Sequence, residues 1–309
     1  MNFDVFDARK ASPMLLVEGS PFNSPNYLFE LKLDGIRCLA YLGKKTELRN
    51  KRNKDVTETY PELKGVNQQV NCRCILDGEL IVTENGIPNF FEIQRRSLMT
   101  DRFKIKLARP VNFVAYDILY RNQSELINLP LMKRKSILND TVKENNSIAI
   151  SRYIEEKGID FYQLVASKNL EGVVAKKNTS FYYYGKRSKD WIKFKKMTDN
   201  DFIICGYSGS GRIKSLVLGA YLANELVYQG HVALGIPQNE AKIIIEYAHL
   251  HPCRNPFKES DDNSIKWMKL ALVCTVKYMM RTPAGLLRQP VYKGLRFDKT
   301  ISECLVNRD

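Results

Sequence analysis

The sequence predicts an α+β protein of two domains, the second of which is a small β-barrel. Strand-like runs and helical periodicity occur in mixed order over residues 1–198, which is typical of α+β rather than doubly wound folds. From residue 199 onward the chain consists mainly of short strands separated by glycine and polar residues, as in small barrels. A length of 309 residues also exceeds what one compact core usually holds. We therefore expect one domain at 1–198 and another at 199–309.

Two strand-like runs lie near the start of the first domain, at residues 27–32 and 37–42. Asp34-Gly35 separates them, and an Asp-Gly pair tolerates the positive backbone dihedrals that a tight hairpin turn requires. The two runs therefore predict a hairpin. Periodicity predicts further strands at 74–82, 111–120, 172–176 and 191–194, and helices at 90–96, 131–139 and 159–166.

The second domain shows the same kind of pattern in shorter pieces. Glycine and polar residues interrupt its apolar runs, and one segment has helical periodicity. We expect strands at 202–207, 216–223, 225–231 and 273–280, and a helix at 239–248.

The charge of the chain points to a polyanionic partner. It has 48 Lys and Arg against 34 Asp and Glu, a formal net charge of +14, which favours nucleic acid. No apolar run approaches the ~18 residues that span a bilayer, and the acidic start does not resemble a secretory signal. Seven cysteines are an odd number, and ordinary reduced thiols are expected. These features predict a cytoplasmic protein that does not interact with membranes.

The segment Glu30-Leu-Lys32-Leu-Asp34-Gly-Ile-Arg37 is the strongest candidate for chemistry. It places a lysine at a predicted strand end, with an acid two residues later and an arginine five residues later. A lysine amine must lose its proton before it can attack an electrophile, so neighbouring cations that lower its pKa would help. In isolation the segment is also compatible with a charged surface hairpin.

The pattern Lys-x-Asp-Gly-x-Arg resembles the first motif of the covalent nucleotidyltransferases, which include ATP-dependent DNA ligases, RNA ligases and mRNA capping enzymes. Five further segments resemble the family's other motifs and follow in the family's order, and an aromatic-Asp element accompanies them. The segments are Arg49-Asn-Lys-Arg52-Asn53, Leu76-Asp77-Gly78-Glu79, Phe113-Val-Ala-Tyr116-Asp117, Glu171-Gly-Val-Val-Ala-Lys176, Trp191-Ile-Lys193-Phe-Lys195 and Arg288-Gln-Pro-Val-Tyr-Lys-Gly-Leu-Arg296-Phe-Asp298-Lys299.

Within this family the last motif, together with Leu218-Gly-Ala-Tyr, is similar to the ligase domain of bacterial ligase D enzymes. The resemblance implies a nucleotidyltransferase (adenylation) domain with mixed and antiparallel sheets at 1–198, followed by an OB-fold domain at 199–309. It implies a DNA ligase of repair or recombination in the bacterial cytoplasm or nucleoid. One departure is Lys54, which follows Asn53 where the family often has glycine.

The resemblance also implies a three-step reaction with ATP as co-substrate. Lys32 would form a lysyl-AMP intermediate, the AMP would pass to a DNA 5′-phosphate, and a 3′-hydroxyl would then displace it. Asp34 and Lys195 are further catalytic candidates. Arg296, Asp298 and Lys299 would orient pyrophosphate in the first step only. The polar stretch 196–201 would be the hinge that lets the second domain close and open.

Several side chains would bind ATP and a divalent cation. Glu30 would accept from the adenine amino group, Tyr116 would stack beneath the base, and Arg37 and Arg52 would bind phosphates. Hard cations prefer carboxylate oxygens, so Glu79 and Glu171 are candidates for Mg²⁺ (or Mn²⁺) and ribose contacts. Lys193 and Lys195 alternate with apolar residues along a predicted strand, so they share one face and would contact the α-phosphate.

The expected partner is nicked or broken double-stranded DNA, with a Ku-type end-binding protein as a possible second partner, and the chain is expected to be a monomer. Arg52, Lys186 and Arg187 are candidate DNA contacts, the last two because they follow the aromatic run 181–184. The basic run 133–135 fits a solvated face. Three alternatives remain open at this point: a capping-type guanylyltransferase that uses GTP, an RNA ligase, and an OB protein that binds nucleic acid with an inert pocket.

Overall fold

A computed structural model describes residues 4–257 and 264–306 of the chain. These residues form two units, one up to Lys196 and one from Met197 onward, whereas the predicted boundary follows residue 198. Each unit buries apolar clusters of its own, so each has its own hydrophobic core.

The first unit combines strands with short helices in mixed order. Its strands are β1 (Leu15–Glu18), β2 (Ser24–Leu31), β3 (Ile36–Leu42), β4 (Thr46–Asn50), β5 (Cys74–Ile81), β6 (Thr83–Glu84), β7 (Ile87–Pro88), β8 (Asn112–Arg121), β9 (Ser124–Glu125), β10 (Ile148–Ile150), β11 (Tyr153–Glu156), β12 (Gly172–Lys177) and β13 (Arg187–Lys195). Its helices are α1 (Val5–Ala8), α2 (Phe90–Ser97), α3 (Arg102–Leu107), α4 (Leu131–Thr141) and α5 (Gly158–Ser167).

Two main sheets make up this unit. One has the strand order β1-β13-β12-β2-β11, and the other has the order β10-β8-β5-β3-β4 with β9 paired to β8. Two pairings, β1 with β13 and β10 with β8, are parallel, and the other pairings in these sheets are antiparallel. The predicted α+β class with mixed and antiparallel sheets is confirmed.

The predicted hairpin at Asp34-Gly35 is wrong. β2 pairs with β11 and β12, while β3 pairs with β4 and β5, so the chain crosses from one sheet to the other between them. Gly35 does not have a positive φ. A Cβ at this position would lie 2.3 Å from the carbonyl oxygen of Leu80. Glycine is therefore needed here because the crossover packs closely against β5, and not because a turn requires a positive φ.

The three predicted helices are confirmed as α2, α4 and α5. The side chain of Asn89 caps α2 by accepting from the Glu92 N–H. Pro130 precedes α4, whose buried face includes Leu131 and Leu138 at a spacing of two helical turns. Local periodicity was thus sufficient to locate these elements.

The second unit is built from one main sheet and a helix. Its strands are β14 (Thr198–Ser208), β15 (Ser215–Leu222), β16 (Glu225–Val232), β17 (Ile265–Trp267), β18 (Val273–Tyr278), β19 (Met280–Arg281), β20 (Leu287–Arg288) and β21 (Val291–Leu295), and its helix is α6 (Gln238–Leu250).

The strand order in this sheet is β16-β15-β14-β18-β21, with β17 also paired to β14. An isolated bridge from Leu234 to Val291 links the two ends of this order, and within the described part of the unit the ladder does not close into a complete barrel. The predicted strands and helix are present. Because β14 already pairs with β18 from Thr198, residues 198–201 belong to a sheet, and the predicted hinge at 196–201 is wrong over that part.

Candidate active site

Lys32 lies directly after β2, where the chain leaves one sheet for the other. Its backbone N–H donates to the Gly172 carbonyl at 2.8 Å, and its Nζ donates to Glu171 Oε2 at 2.6 Å. Lys195 Nζ lies 3.8 Å from the other oxygen of the same carboxylate. The direct partner of Lys32 is therefore an acid, whereas the sequence predicts a neighbouring cation that lowers the pKa of the lysine.

Glycine at position 172 brings Glu171 to these lysines. Gly172 has a φ of +149°, and a Cβ there would lie 1.9 Å from the Phe194 carbonyl oxygen. It is the register partner of Lys195, so β12 and β13 approach closely at this end. Burial lowers the pKa of Lys195, and the charges of Lys32 and Lys193 act in the same direction.

A cavity of about 220 Å³ opens beside Lys32, with walls from both sheets. Tyr116, on β8, is 9% exposed, and its ring forms part of one wall. Lys176 Nζ lies 4.4 Å from the centre of this ring, and the Arg37 guanidinium carbon lies 5.0 Å from it. The structure thus brings together several predicted site residues. Those that line the cavity are Glu30, Lys32, Arg37, Glu79 and Tyr116.

Glu30 is 2% exposed, and each oxygen of its carboxylate has a lysine partner. Lys135 Nζ donates to Oε1, and Lys176 Nζ donates to Oε2 at 2.7 Å. Burial lowers the pKa of Lys176 to about 8. The indole ring of Trp191 also lies 4.3 Å from Lys176 Nζ, so this cation contacts two aromatic faces.

Lys135 corrects the interpretation of the basic run 133–135 as a solvated face. Arg134 and Lys135 are both buried, and only Lys133 is exposed. A signal for this was present in the sequence: positions 131, 134, 135 and 138 share one helical face, and 131 and 138 are leucines. Basic residues on an apolar helix face indicate buried partners.

Arg37 and Asp77 form a second buried ion pair beside the cavity. Arg37 donates to Asp77 Oδ1 at 2.9 Å and to Oδ2 at 2.6 Å, and the Tyr182 hydroxyl donates to Oδ2 at 2.6 Å. Burial raises the pKa of nearby Glu79 to about 8, and the negative charges of Glu171 and Asp77 add to that effect.

The carboxyls of Glu79 and Glu171 fit a hard cation. Within residues 4–257 and 264–306 there is no cluster of three or more His, Cys, Asp or Glu side chains that could hold a metal ion. Mg²⁺ usually takes one or two carboxylates and completes its shell with phosphate oxygens and water. Glu79 at the cavity and Glu171 beside Lys32 are compatible with that pattern.

Seven predicted residues of the first unit are not among those that line the cavity, and two of these, Glu171 and Lys195, lie beside Lys32. Asp34 is half-buried in the crossover, and Lys193 faces Val174 and Glu18 across its neighbouring strands. Arg52 and Lys186 are exposed. Arg187 is also exposed, and its guanidinium donates to the Leu16 carbonyl. Exposure leaves these last three residues accessible to a macromolecular partner.

The remaining predicted residues lie together in the second unit. Arg296 pairs with Asp298 through contacts of 2.9 and 2.7 Å, and this hydrogen bonding lowers the pKa of Asp298 to about 2. Asp201 accepts from Arg296 at 3.3 Å and from Lys299 at 3.1 Å. Thr275 also donates to Asp201. Sequence reasoning missed Asp201, because its partners lie far along the chain.

Comparison with known proteins identifies both units. A family model described as "ATP dependent DNA ligase domain" matches residues 17–195, and one described as "ATP dependent DNA ligase C terminal region" matches residues 209–299. The multifunctional non-homologous end joining protein LigD of Mycobacterium bovis is 30% identical over 314 residues, which cover 97% of this chain and 40% of that protein. The chain thus spans about 40% of the length of this relative.

Two further similarities extend over nearly the whole chain. The SPbeta prophage-derived DNA ligase-like protein LigB of Bacillus subtilis is 30% identical over 288 residues, covering 92% of this chain and 98% of that protein. The crystal structure of the ligase domain from Mycobacterium tuberculosis LigD has 29% identity and a TM-score of 0.56, and the match covers 98% of this chain and 99% of that one.

Proposed function

Since the chain belongs to the ATP-dependent DNA ligase family, we propose that it joins 3′-hydroxyl and 5′-phosphate ends of nicked or broken duplex DNA through a lysyl-AMP on Lys32. The observation that carries the proposal is the position of Lys32 at a cavity with walls from both sheets, with its amine bound to Glu171. Both family models describe DNA ligases. This favours a DNA ligase over the capping-type guanylyltransferase, the RNA ligase and the inert OB protein.

In the first step the Lys32 nitrogen forms a bond to the α-phosphorus of ATP as the bond to pyrophosphate breaks. Glu171 holds the amine in position through the 2.6 Å hydrogen bond. Lys195, whose Nζ lies 3.8 Å from the Glu171 carboxylate, supplies positive charge near the α-phosphate, and Lys193 lies two residues earlier on the same strand. Asp34 belongs to the crossover that fixes the direction of the Lys32 backbone.

Base and phosphates bind to the walls of the same cavity. Tyr116 offers the aromatic face for adenine, and Glu30 accepts from the 6-amino group. Arg37 contacts phosphate with donors that its pairing with Asp77 keeps oriented. Glu79 and Glu171 are the carboxylates that would hold Mg²⁺ or Mn²⁺, and the bound ion would neutralise phosphate charge during transfer.

Arg296, Asp298 and Lys299 orient pyrophosphate in the first step. The ion pair between Arg296 and Asp298, and the contacts of Arg296 and Lys299 with Asp201, support a role as one group. Because this group lies in the second unit and Lys32 in the first, lysine adenylation requires both units. The division into an adenylation domain at 1–198 and an OB domain at 199–309 is part of this proposal.

The substrate is duplex DNA bound through its phosphates. The net charge of +14 and the exposed Arg52, Lys186 and Arg187 support such binding. End joining in DNA repair is proposed from the similarity to the mycobacterial non-homologous end joining protein, and a Ku-type partner from the family resemblance of the sequence. In the described residues no helix is long and apolar enough to cross a membrane. We place the protein in the bacterial cytoplasm or nucleoid as a monomer.

A nick-sealing assay with purified protein, Mg²⁺ and ATP tests the proposal. The matched substrates are one duplex with a nick in DNA and one of the same sequence with the nick in RNA, each supplied with ATP or GTP. We expect sealing of nicked DNA with ATP. Sealing of RNA alone, or sealing that depends on GTP, would show that the assignment is wrong.

A further inference from the structure

We propose that Lys135 is a positioning residue for base selection: together with Lys176 it holds the Glu30 carboxylate in place as a hydrogen-bond acceptor, so that the cavity takes 6-aminopurine nucleotides and rejects 6-oxopurine nucleotides. The inference rests on the proposed function, because it concerns the base of the nucleotide that reacts with Lys32. It adds a residue from α4, which lies outside the family-like motifs of the sequence.

The geometry joins three elements at one carboxylate. Glu30 lies on β2, Lys176 on the adjacent β12, and Lys135 on α4, which reaches the sheet from another part of the chain. Both lysine side chains and the carboxylate are 3% exposed. Glu30 nevertheless lines the cavity that contains Lys32 and Tyr116. A base stacked on Tyr116 would therefore meet an acid whose two carboxylate oxygens are held by Lys135 and Lys176.

Each oxygen of the buried Glu30 carboxylate accepts a hydrogen bond from one ammonium group, so the two lysines together fix its orientation. Two other polar residues near the cluster have partners of their own. Asp117 is paired with Arg134, and the ring of Tyr153, which is opposite Glu30 on β11, faces Lys135. Loss of Lys135 would leave Glu30 with one cation instead of two.

The hydrogen-bonding capacity of the Glu30 carboxylate decides which base edge it can bind. An ionised carboxylate only accepts hydrogen bonds, and a protonated carboxyl can donate one. The 6-amino group of adenine donates, whereas the 6-oxo group of hypoxanthine or guanine only accepts. An ionised Glu30 therefore pairs with adenine and opposes the lone pairs of a 6-oxo group.

The test compares lysyl-nucleotide formation with ATP and with inosine triphosphate, which exchanges the 6-amino group for a 6-oxo group. The second-order rate constant of adduct formation is measured with each nucleotide for the wild type, Lys135→Met and Lys135→Arg. The control is Lys133→Met, an exposed position on the same helix. We expect Lys135→Met to lower the ATP-to-inosine triphosphate ratio roughly ten- to a hundredfold, the factor that a hydrogen bond to a charged group is worth. Lys135→Arg should retain most of the ratio, and Lys133→Met all of it.

Equal slowing with both nucleotides in Lys135→Met would overturn the inference, since it would indicate a structural role only. If thermal unfolding shows that this variant does not fold, Glu30→Gln decides. Its amide can donate or accept, so the ratio must fall, and an unchanged ratio overturns the inference. A wild-type protein that forms no adduct with ATP would instead refute the proposed function, so the two failures are distinguishable.

Discussion

The ion pair between Arg134 of α4 and Asp117 of β8 should dominate the stability of the first unit. Neither side chain has exposed surface. Arg134 donates twice to Asp117, each time at 2.9 Å, and its Nη1 donates to the carbonyls of Leu129 and Ser180. Replacing Arg134 with methionine removes these bonds and leaves Asp117 buried without its cation. Breaking a buried pair in this way costs about 3–5 kcal/mol. In a unit of this size each kcal/mol shifts Tm by about 2–4 °C, so Tm should fall by about 6–20 °C.

Urea and thermal unfolding of the full chain measure this effect. Lys133→Met, one position earlier and exposed, is the matched control and should unfold like the wild type. Adding Asp117→Leu to Arg134→Met should recover part of the lost stability, because no buried charge then remains unpaired. An Arg134→Met protein whose free energy of unfolding stays within ~1 kcal/mol of the wild-type value would refute the reasoning.

Three further predictions concern function. Asp298→Ala should impair lysine adenylation far more than sealing of a pre-adenylated nick, and equal loss in both assays would contradict a role limited to the first step. Lys186→Ala combined with Arg187→Ala should reduce the slope of log affinity for nicked DNA against log salt concentration by about one to two and leave adenylation intact. An unchanged slope would show that these two residues do not contact the DNA phosphates. Because burial raises the pKa of Glu79 to about 8, its metal-binding ionised form gains population as the pH rises toward that value. Mg²⁺-dependent adenylation should therefore increase over this range in the wild type and lose that increase in Glu79→Gln, and identical pH profiles would argue against the metal role.

Elements with strong local patterns could be predicted from the sequence, and pairing between distant strands could not. The strand that ends just before Lys32 and the strands that carry Glu79 and Tyr116 follow from alternation and apolar runs, which depend only on neighbouring residues. The hairpin at Asp34-Gly35 failed because the partners of β2 and β3 lie far along the chain. A turn signal does not specify which sheet each flanking strand joins.

In the candidate site, too, residues within local motifs could be predicted and contacts between distant residues could not. The order of the motifs predicted Lys32, Glu171 and Lys195 as site residues. In the structure both lysines contact the Glu171 carboxylate. Lys135 and Asp201 were missed, since each becomes significant only through contacts with residues distant in sequence. Burial of charged groups depends on tertiary packing, so composition and spacing underestimate it.

Formation of a lysyl-AMP on Lys32 is the central claim, and mass spectrometry of the intact protein after incubation with ATP and Mg²⁺ tests it most directly. The account predicts a species heavier by one AMP less water, with the added mass on the peptide that contains Lys32, and no such species in Lys32→Ala. The fold should tolerate that substitution, because Lys32 is partly exposed at a strand end. A wild-type protein that gains no adduct, or a Lys32→Ala protein that still gains one, would contradict it.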